Sequence, residues 1–142
     1  MKEVLDYGVL GFLLFLSVVV VGIVLERIWF YATMRVSDYE DKRLLELDLH
    51  KRLTLVATIG SNAPYVGLLG TVGGIMMTFA DLGQVGDTQS IMLGLSLALK
   101  ATAAGLMVAI PAIVSYNLLL RKAEVILCHW DIYHHPDKSD QA

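Results

Sequence analysis

Three long apolar stretches dominate the chain. Residues 8–25 and residues 53–80 contain no charged side chain, and residues 90–120 contain only Lys100. About 20 helical residues span the hydrocarbon core of a bilayer, so each stretch is long enough to cross it. The pattern therefore predicts an all-α integral membrane protein with three transmembrane helices. The second and third helices are longer than a bilayer requires and should extend beyond it into the cytoplasm.

Polar positions set the expected limits of the segments. In residues 37–52, leucines alternate with charges, which favours an amphipathic helix that extends the second span; a solvated charged linker is the alternative. The first stretch is too long for a cleaved signal peptide and lacks a small-residue cleavage site. We expect one membrane domain with spans at about 8–31, 55–80 and 90–120, a segment at 32–52, a loop at 81–89 and a tail at 121–142.

The basic residues predict an orientation. Lysine and arginine are concentrated in residues 32–52 and after the third stretch, whereas residues 81–89 contain neither. The positive-inside rule then places residues 32–52 and the C-terminus in the cytoplasm, and the N-terminus and the loop in the periplasm. The expected interfacial belt consists of Trp29, Phe30 and Tyr31, with Arg27 and Arg35 beside the headgroups.

The composition argues against several classes of function. A net charge of −3 gives no electrostatic basis for binding nucleic acid. The single cysteine, Cys128, excludes an internal disulfide and a cysteine-rich metal site. His134 and His135 alone are too few ligands to indicate a metal, and no span pairs carboxylates or joins a nucleophile to a base. We therefore expect no enzyme, no metal and no cofactor.

The second apolar stretch is built from unusual material for a helix. Residues 62–79 read NAPYVGLLGTVGGIMMTF and contain one proline, four glycines and two threonines, which weaken an isolated helix. Gly70 and Gly74 have the GxxxG spacing that lets helix backbones approach closely in a bilayer. On a helical wheel, the face centred on Thr71 contains Pro64, Gly67, Thr71, Gly74, Ile75 and Thr78.

The third stretch has a similar face. Thr102 borders it, and Pro111 lies within the stretch, where it can bend the helix. Tight packing inside one chain is one interpretation of the two small faces. Because three spans bury little in a monomer, we favour a homo-oligomer in which these faces meet around a central pore. The small stripe of the third stretch contains Gly94, Ala98, Ala101, Gly105, Val108, Ala109 and Ala112.

Two motifs resemble those of a known family. The segment APYVGLLGTVGGIMMTF resembles the second-span signature of the ExbB/TolQ/MotA proton-channel family, and LALKATAAGLMVAIPAIVSYN resembles the third-span signature of its ExbB/TolQ branch. Together they cover about residues 59–117. The resemblance implies an inner-membrane pentamer of a Gram-negative bacterium, surrounded by lipid, around a single-span ExbD-like partner whose membrane aspartate takes up and releases protons.

The same resemblance implies a function. Proton flow through such a complex energises a TonB-like protein and thereby transport across the outer membrane, so protons are the transported ion. A TolQ-like subunit of the Tol-Pal system, or a structural membrane oligomer without an ion path, are the alternatives. Under the favoured interpretation, Pro64, Gly67, Gly70, Gly74, Thr78, Ala98, Ala101, Gly105 and Pro111 line the pore or pack between subunits.

The family's pore threonines correspond to Thr71 and Thr102. Each hydroxyl can donate and accept a hydrogen bond, although a bond back to its own helix is the alternative role. The family's third-span glutamate is replaced by Leu97, so we carry no glutamate role over. Lys100 lies near the expected bilayer centre, where a lysine costs about 2.5–3.5 kcal/mol. It either supplies a cation beside the partner's carboxylate or lies at a subunit interface.

Overall fold

The protein is a small bundle of long helices. The computed structural model describes residues 2–82 and 87–136, and every regular element within them is helical. Three of these helices are long and apolar enough to cross a membrane, which confirms the predicted number of spans. The sides that the termini and loops occupy stay predictions. The elements are α1 (Lys2–Thr33), a 3-10 turn (Val36–Asp38), α2 (Lys42–Leu49), α3 (Leu53–Leu82) and α4 (Thr88–His134).

Helices α3 and α4 form an antiparallel pair, and α1 packs against both. Asp87 begins α4 as an N-cap, because its side chain accepts a hydrogen bond of 2.6 Å from the backbone N–H of Ser90. At 47 residues, α4 is about 70 Å long, more than twice the thickness of a hydrocarbon core. Both helices continue through their prolines, Pro64 in α3 and Pro111 in α4.

The predicted helix in the segment between the first two spans exists, but it is shorter than expected. Lys42 at its start lies 2.8 Å from Asp131 of α4, and Gly60 of α3 packs against Ile113, so α2 and α3 run along α4 in the same direction. They are nevertheless two helices, because Arg52 has a φ of 68°. A left-handed residue interrupts the helical hydrogen bonds, and the expectation of one continuous extension is therefore wrong.

Side chains of α1 fill the interruption between α2 and α3. Arg27 donates a hydrogen bond of 2.6 Å to the carbonyl of Asp48, and the hydroxyl of Tyr31 donates to the carbonyl of Leu49. Both carbonyls lie in the last turn of α2, where helical partners are missing. Arg27 is only 3% exposed and Tyr31 is buried. Their predicted place among the lipid headgroups is therefore wrong, whereas Trp29 does face outward.

A core of large side chains joins α1, α2 and α4 at this end of the bundle. Leu45 and Leu49, one helical turn apart, are fully buried in it, whereas Leu44 and Leu47 on the opposite side of α2 are exposed. The indole of Trp130 donates a hydrogen bond of 2.8 Å to the carbonyl of Tyr39. We call this core the end cluster; its buried members are Tyr31, Leu45, Leu49, Leu53, Leu119, Ala123, Ile126 and Trp130.

Candidate functional site

The small faces of α3 and α4 meet along most of their length. A Cβ added to Gly67 would lie 2.6 Å from the carbonyl oxygen of Ala101, and one added to Gly105 would lie 2.7 Å from that of Ala63. Real Cβ atoms do not approach other atoms so closely, so only glycine fits at these two positions. Backbone therefore packs directly on backbone at this crossing.

This packing corrects the favoured interpretation of the small faces. The faces meet between two helices of one chain, and a Cβ on Gly74 would lie 2.8 Å from the Cβ of Ala98 in the same chain. Because α3 and α4 are antiparallel neighbours and each has a stripe of small residues, the two stripes pack against one another. The two backbones therefore come into contact within one chain, and a second copy is not required. The buried positions among those singled out are Gly67, Gly70, Thr71, Thr78, Gly94, Ala98, Ala101, Gly105, Ala109 and Ala112.

The crossing brings Thr71 and Thr102 together. Thr71 is 6% exposed, and its Oγ1 is hydrogen bonded to the Oγ1 of Thr102, 31 positions further along the chain. The same oxygen lies 2.9 Å from the carbonyl of Ala98 and 3.3 Å from that of Gly67. Thr102 is half-buried, so it lies on the more accessible side of the pair.

Counting protons limits how these bonds can be arranged. A hydroxyl carries one hydrogen and two lone pairs, so Thr71 donates to only one of its three neighbours. The carbonyl of Ala98 is nearer than that of Gly67. When Thr71 donates to Ala98, its oxygen accepts the proton of Thr102. The lone pairs of Thr102 then remain available on its accessible side. In this arrangement the two hydroxyls form a short hydrogen-bonded series, and the oxygen of Thr102 can accept one more hydrogen bond.

Thr78, one heptad beyond Thr71, has a different environment. It is buried, and its hydroxyl donates a hydrogen bond of 2.8 Å to Gly74 of its own helix. Its side chain fills the space over Gly94, where an added Cβ would lie 2.5 Å from Oγ1. The geometry therefore assigns Thr78 a packing role between α3 and α4.

Lys100 lies apart from the threonine pair. Its side chain is exposed, and within the described residues no hydrogen bond or ion pair holds it. Ala98 and Ala101 point to α3, so Lys100, between them in sequence, faces another side of α4. Leu97 is also exposed. Of the two prolines, Pro64 is half-buried and Pro111 is exposed, so neither occupies the buried part of the crossing.

Other candidate chemistry stays dispersed in the part of the chain that the structure describes. No three side chains of histidine, cysteine, aspartate or glutamate converge there as a metal site would require. Cys128 is exposed, and His134 stacks on Trp130 with ring centroids 4.2 Å apart. Among the polar site residues predicted in the described part of the chain, Thr71 and Thr102 are therefore the pair that the tertiary fold brings together.

Sequence reasoning missed the residues that hold the turn between α2 and α3. Besides its bond to Asp48, Arg27 contacts the carboxylate of Glu26, which lies 3.5 Å from Arg52. The guanidinium of Arg27 also lies 4.6 Å from the centre of the Phe30 ring. An arginine directly after an apolar span is typical of a headgroup contact, so the local pattern gave no reason to expect it inside the bundle.

A sequence model of the MotA/TolQ/ExbB proton channel family matches residues 26–132. The chain belongs to this family. The matched region contains α2, α3 and most of α4, and therefore both members of the threonine pair. Proteins of the family are channel and transport proteins of membranes and not enzymes, and the resemblance recognised from the two span motifs is confirmed.

Individual relatives agree with the family assignment. The chain is 68% identical to biopolymer transport protein ExbB-like 2 of Helicobacter pylori over 96% of its own length and 92% of the relative. It is 50% identical to biopolymer transport protein ExbB of Aquifex aeolicus over 94% and 91%. Tol-Pal system protein TolQ of Pseudomonas aeruginosa is 41% identical over 66% of this chain and 40% of the relative.

Proposed function

We propose that this protein is the proton-conducting scaffold subunit of an inner-membrane motor that energises TonB-dependent transport across the outer membrane. The observation that carries the proposal is the hydroxyl pair of Thr71 and Thr102. The pair lies in the apolar, closely packed crossing of α3 and α4, and the oxygen of Thr102 remains able to accept a further hydrogen bond. A polar group in such surroundings is costly unless it is hydrogen-bonded, so the lone pairs of Thr102 that remain available favour a further polar partner there.

The proposed complex is a pentamer around a single-span, ExbD-like partner, with a TonB-like protein as the recipient of the movement. In it, the partner's membrane carboxyl reaches Thr102 from the accessible side. When protonated, the carboxyl donates to Thr102, which continues to donate to Thr71. When ionised, it accepts from Thr102, and Thr71 turns its proton from Ala98 to Thr102. Ala98 keeps its helical bond, since it lies four residues before Thr102.

Two rotations of hydroxyl groups thus follow one change in the charge of the partner's carboxyl. Each state satisfies the hydrogen-bonding groups of the pair, so neither threonine is left with an unmet donor in the apolar crossing. In the two states Thr102 donates to different groups: to Thr71 when the partner's carboxyl is protonated, and to that carboxyl when it is ionised. The transported ion is the proton, and no cofactor takes part.

An ExbB-like role is better supported than a TolQ-like role. The relatives named as ExbB or ExbB-like align over 91% and 92% of their own lengths. The alignment with TolQ covers 40% of that protein, so most of TolQ has no counterpart in the matched region. The Tol-Pal role is the second candidate, and growth on an iron complex imported by a TonB-dependent transporter separates the two.

The test replaces each hydroxyl by a methyl group. Thr71→Val and Thr102→Val preserve shape, so we expect the complex with its ExbD-like partner to assemble normally. Proton uptake into liposomes containing that complex should fall at least tenfold, because the chain of hydroxyls is broken. Thr71→Ser should restore uptake, since serine keeps the hydroxyl. Thr58→Val is the matched control, because Thr58 is exposed and its hydroxyl donates to Thr54 of its own helix.

Normal proton uptake and normal growth on iron complexes in both valine variants would show that the hydroxyls only pack. The structural-oligomer interpretation would then replace the proposal. Assembly is measured separately by native mass spectrometry, which counts the subunits and detects a co-purified single-span partner. Loss of assembly in a valine variant would assign that hydroxyl to stability rather than conduction.

A further inference from the structure

A groove between α1 and α4 leads from an apolar region to a basic one. Its first part is a cavity of about 590 Å³ and its second part a cavity of about 420 Å³. Both cavities are lined by Tyr31 and Lys122, so they adjoin one another, and we treat them as two parts of one groove. Neither Thr71 nor Thr102 lines the groove, whose α4 residues begin at Ser115, so it takes no part in the proposed proton path.

The first part of the groove is suited to a hydrocarbon chain. Val24 and Ile28 of α1 face Leu118 and Leu119 of α4 across it, and the small residues Ala32 and Ser115 leave it open. The apolar stretches of both helices end beside this cavity, at Leu25 and Leu120, which places it at the end of the membrane span, where acyl chains meet headgroups. An acyl chain that fills such a cavity makes dispersion contacts with the apolar side chains that line it.

The second part of the groove is suited to an anion. Arg35, Lys122 and His129 line it, and none of its lining residues is acidic. Among the residues that the structure describes, neither Arg35 nor Lys122 forms an ion pair. Nearby basic residues are engaged elsewhere: Lys42 lies 2.8 Å from Asp131, and Arg121 lies 3.8 Å from Glu124.

The order of these features along the bundle matches one kind of ligand. Along α1 and the residues just after it the lining proceeds from Val24 to Arg35, and along α4 from Leu118 to Lys122, so both sides of the groove pass from apolar to cationic in the same direction. Basic pockets between transmembrane helices bind the headgroups of anionic lipids. We propose that the groove binds a phospholipid with an anionic headgroup, with an acyl chain beside Ile28 and the phosphate on Lys122 and Arg35.

The test is native mass spectrometry of the purified protein in detergent, titrated with phosphatidylglycerol or with phosphatidylcholine of identical acyl chains. A basic residue near an anionic surface contributes a factor of about five in affinity. Lys122→Gln and Arg35→Gln should therefore each weaken phosphatidylglycerol binding about fivefold, and the double variant about thirtyfold. Phosphatidylcholine binding should change little in these variants.

Two further variants separate the site from general surface effects. Arg121→Gln removes an equal charge from a neighbouring exposed residue outside the groove, and it should leave affinity unchanged. Ala32→Leu keeps every charge but narrows the apolar cavity, and it should weaken both lipids. This variant also keeps the proposal testable if the charge variants fail to fold.

Each contrary result has a definite meaning. Equal binding of phosphatidylglycerol and phosphatidylcholine, or an Arg121→Gln effect as large as that of Lys122→Gln, would overturn the headgroup site. Unchanged lipid binding in Ala32→Leu would show that the acyl chain does not lie in the apolar cavity. Displacement of the lipid by inorganic phosphate at equal concentration would identify a free-phosphate site instead. Absence of saturable binding to the intact oligomer would show that a second copy covers the groove.

Discussion

The α3–α4 crossing and the end cluster are stabilised in opposite ways. At the crossing, glycines and alanines bring two backbones into contact, and the largest polar feature is a pair of hydroxyls. In the end cluster, leucines, Tyr31 and Trp130 fill the space between the helices. Helices surrounded by lipid gain nothing from burying large apolar side chains, because lipid is equally apolar, so close backbone packing decides their association.

The end cluster follows the rule of soluble proteins instead. Helix α2 has a charged outer face and buries Leu45 and Leu49, so removal of apolar surface from water can stabilise it. Added volume should therefore be most harmful at the crossing, and lost volume most harmful in the end cluster. The predictions below test this contrast, from the largest expected effect to the smallest.

Gly67→Leu should have the largest effect. Even a Cβ at this position would lie 2.6 Å from the backbone of Ala101, so leucine must separate α3 from α4. We expect a loss of about 3 kcal/mol or more in the free energy of unfolding, measured by circular dichroism during titration with a denaturing detergent. Gly22→Leu is the control, since nothing lies within 4 Å of a Cβ there. Equal losses in both variants would contradict close packing at the crossing.

Leu49→Ala tests the end cluster. Leu49 is fully buried, and shortening a buried leucine costs about 2–5 kcal/mol through lost burial and the cavity that remains. Leu47→Ala removes the same atoms from an exposed position of the same helix and should change stability by less than about 0.5 kcal/mol. The same detergent titration compares them. Similar values for the two variants would mean that α2 is not held by its apolar face.

Tyr31→Phe should have a smaller effect at the turn between α2 and α3. It removes the hydroxyl that donates to Leu49 and leaves a buried carbonyl without this partner, at a cost of about 1–3 kcal/mol. Tyr65→Phe is the control, because Tyr65 is exposed on α3. Limited proteolysis should also cut the Tyr31→Phe variant faster near Arg52. Unchanged proteolysis would show that Arg27 alone holds the turn.

Lys100→Met should leave stability unchanged and alter only the pH dependence of proton conduction. If Lys100 lies beside the partner's carboxylate, its cation favours the ionised form and lowers the pKa of that carboxyl. Removing the charge raises this pKa, so the midpoint of the pH profile should move to higher pH. Lys51→Met removes a charge from an exposed residue near the interrupted helix and should not move the profile. An unshifted profile in Lys100→Met would assign Lys100 to a subunit or lipid contact.

Much of the architecture could be predicted from the sequence. Apolar stretches of sufficient length predicted three spans, and the small stripes predicted faces that approach closely, as Gly67 and Gly105 do. The motifs around Thr71 and Thr102 predicted the family. These features are local or periodic: length, charge and helical spacing depend only on the order of residues along the chain.

The contacts of individual residues depended on which helices pack against one another in the folded chain. A small stripe fits a neighbour in the same chain or in another copy equally well, so the sequence left the partner of Gly74 undecided; the tertiary structure placed Ala98 of the same chain against it. Whether Arg27 faces headgroups or protein depends on the carbonyl of Asp48 being within reach, which requires the left-handed turn at Arg52. The sequence by itself determined the helices and their small faces. Only the tertiary structure decided the partners, because hydrogen bonds and close packing act over a few ångströms between residues far apart in the chain.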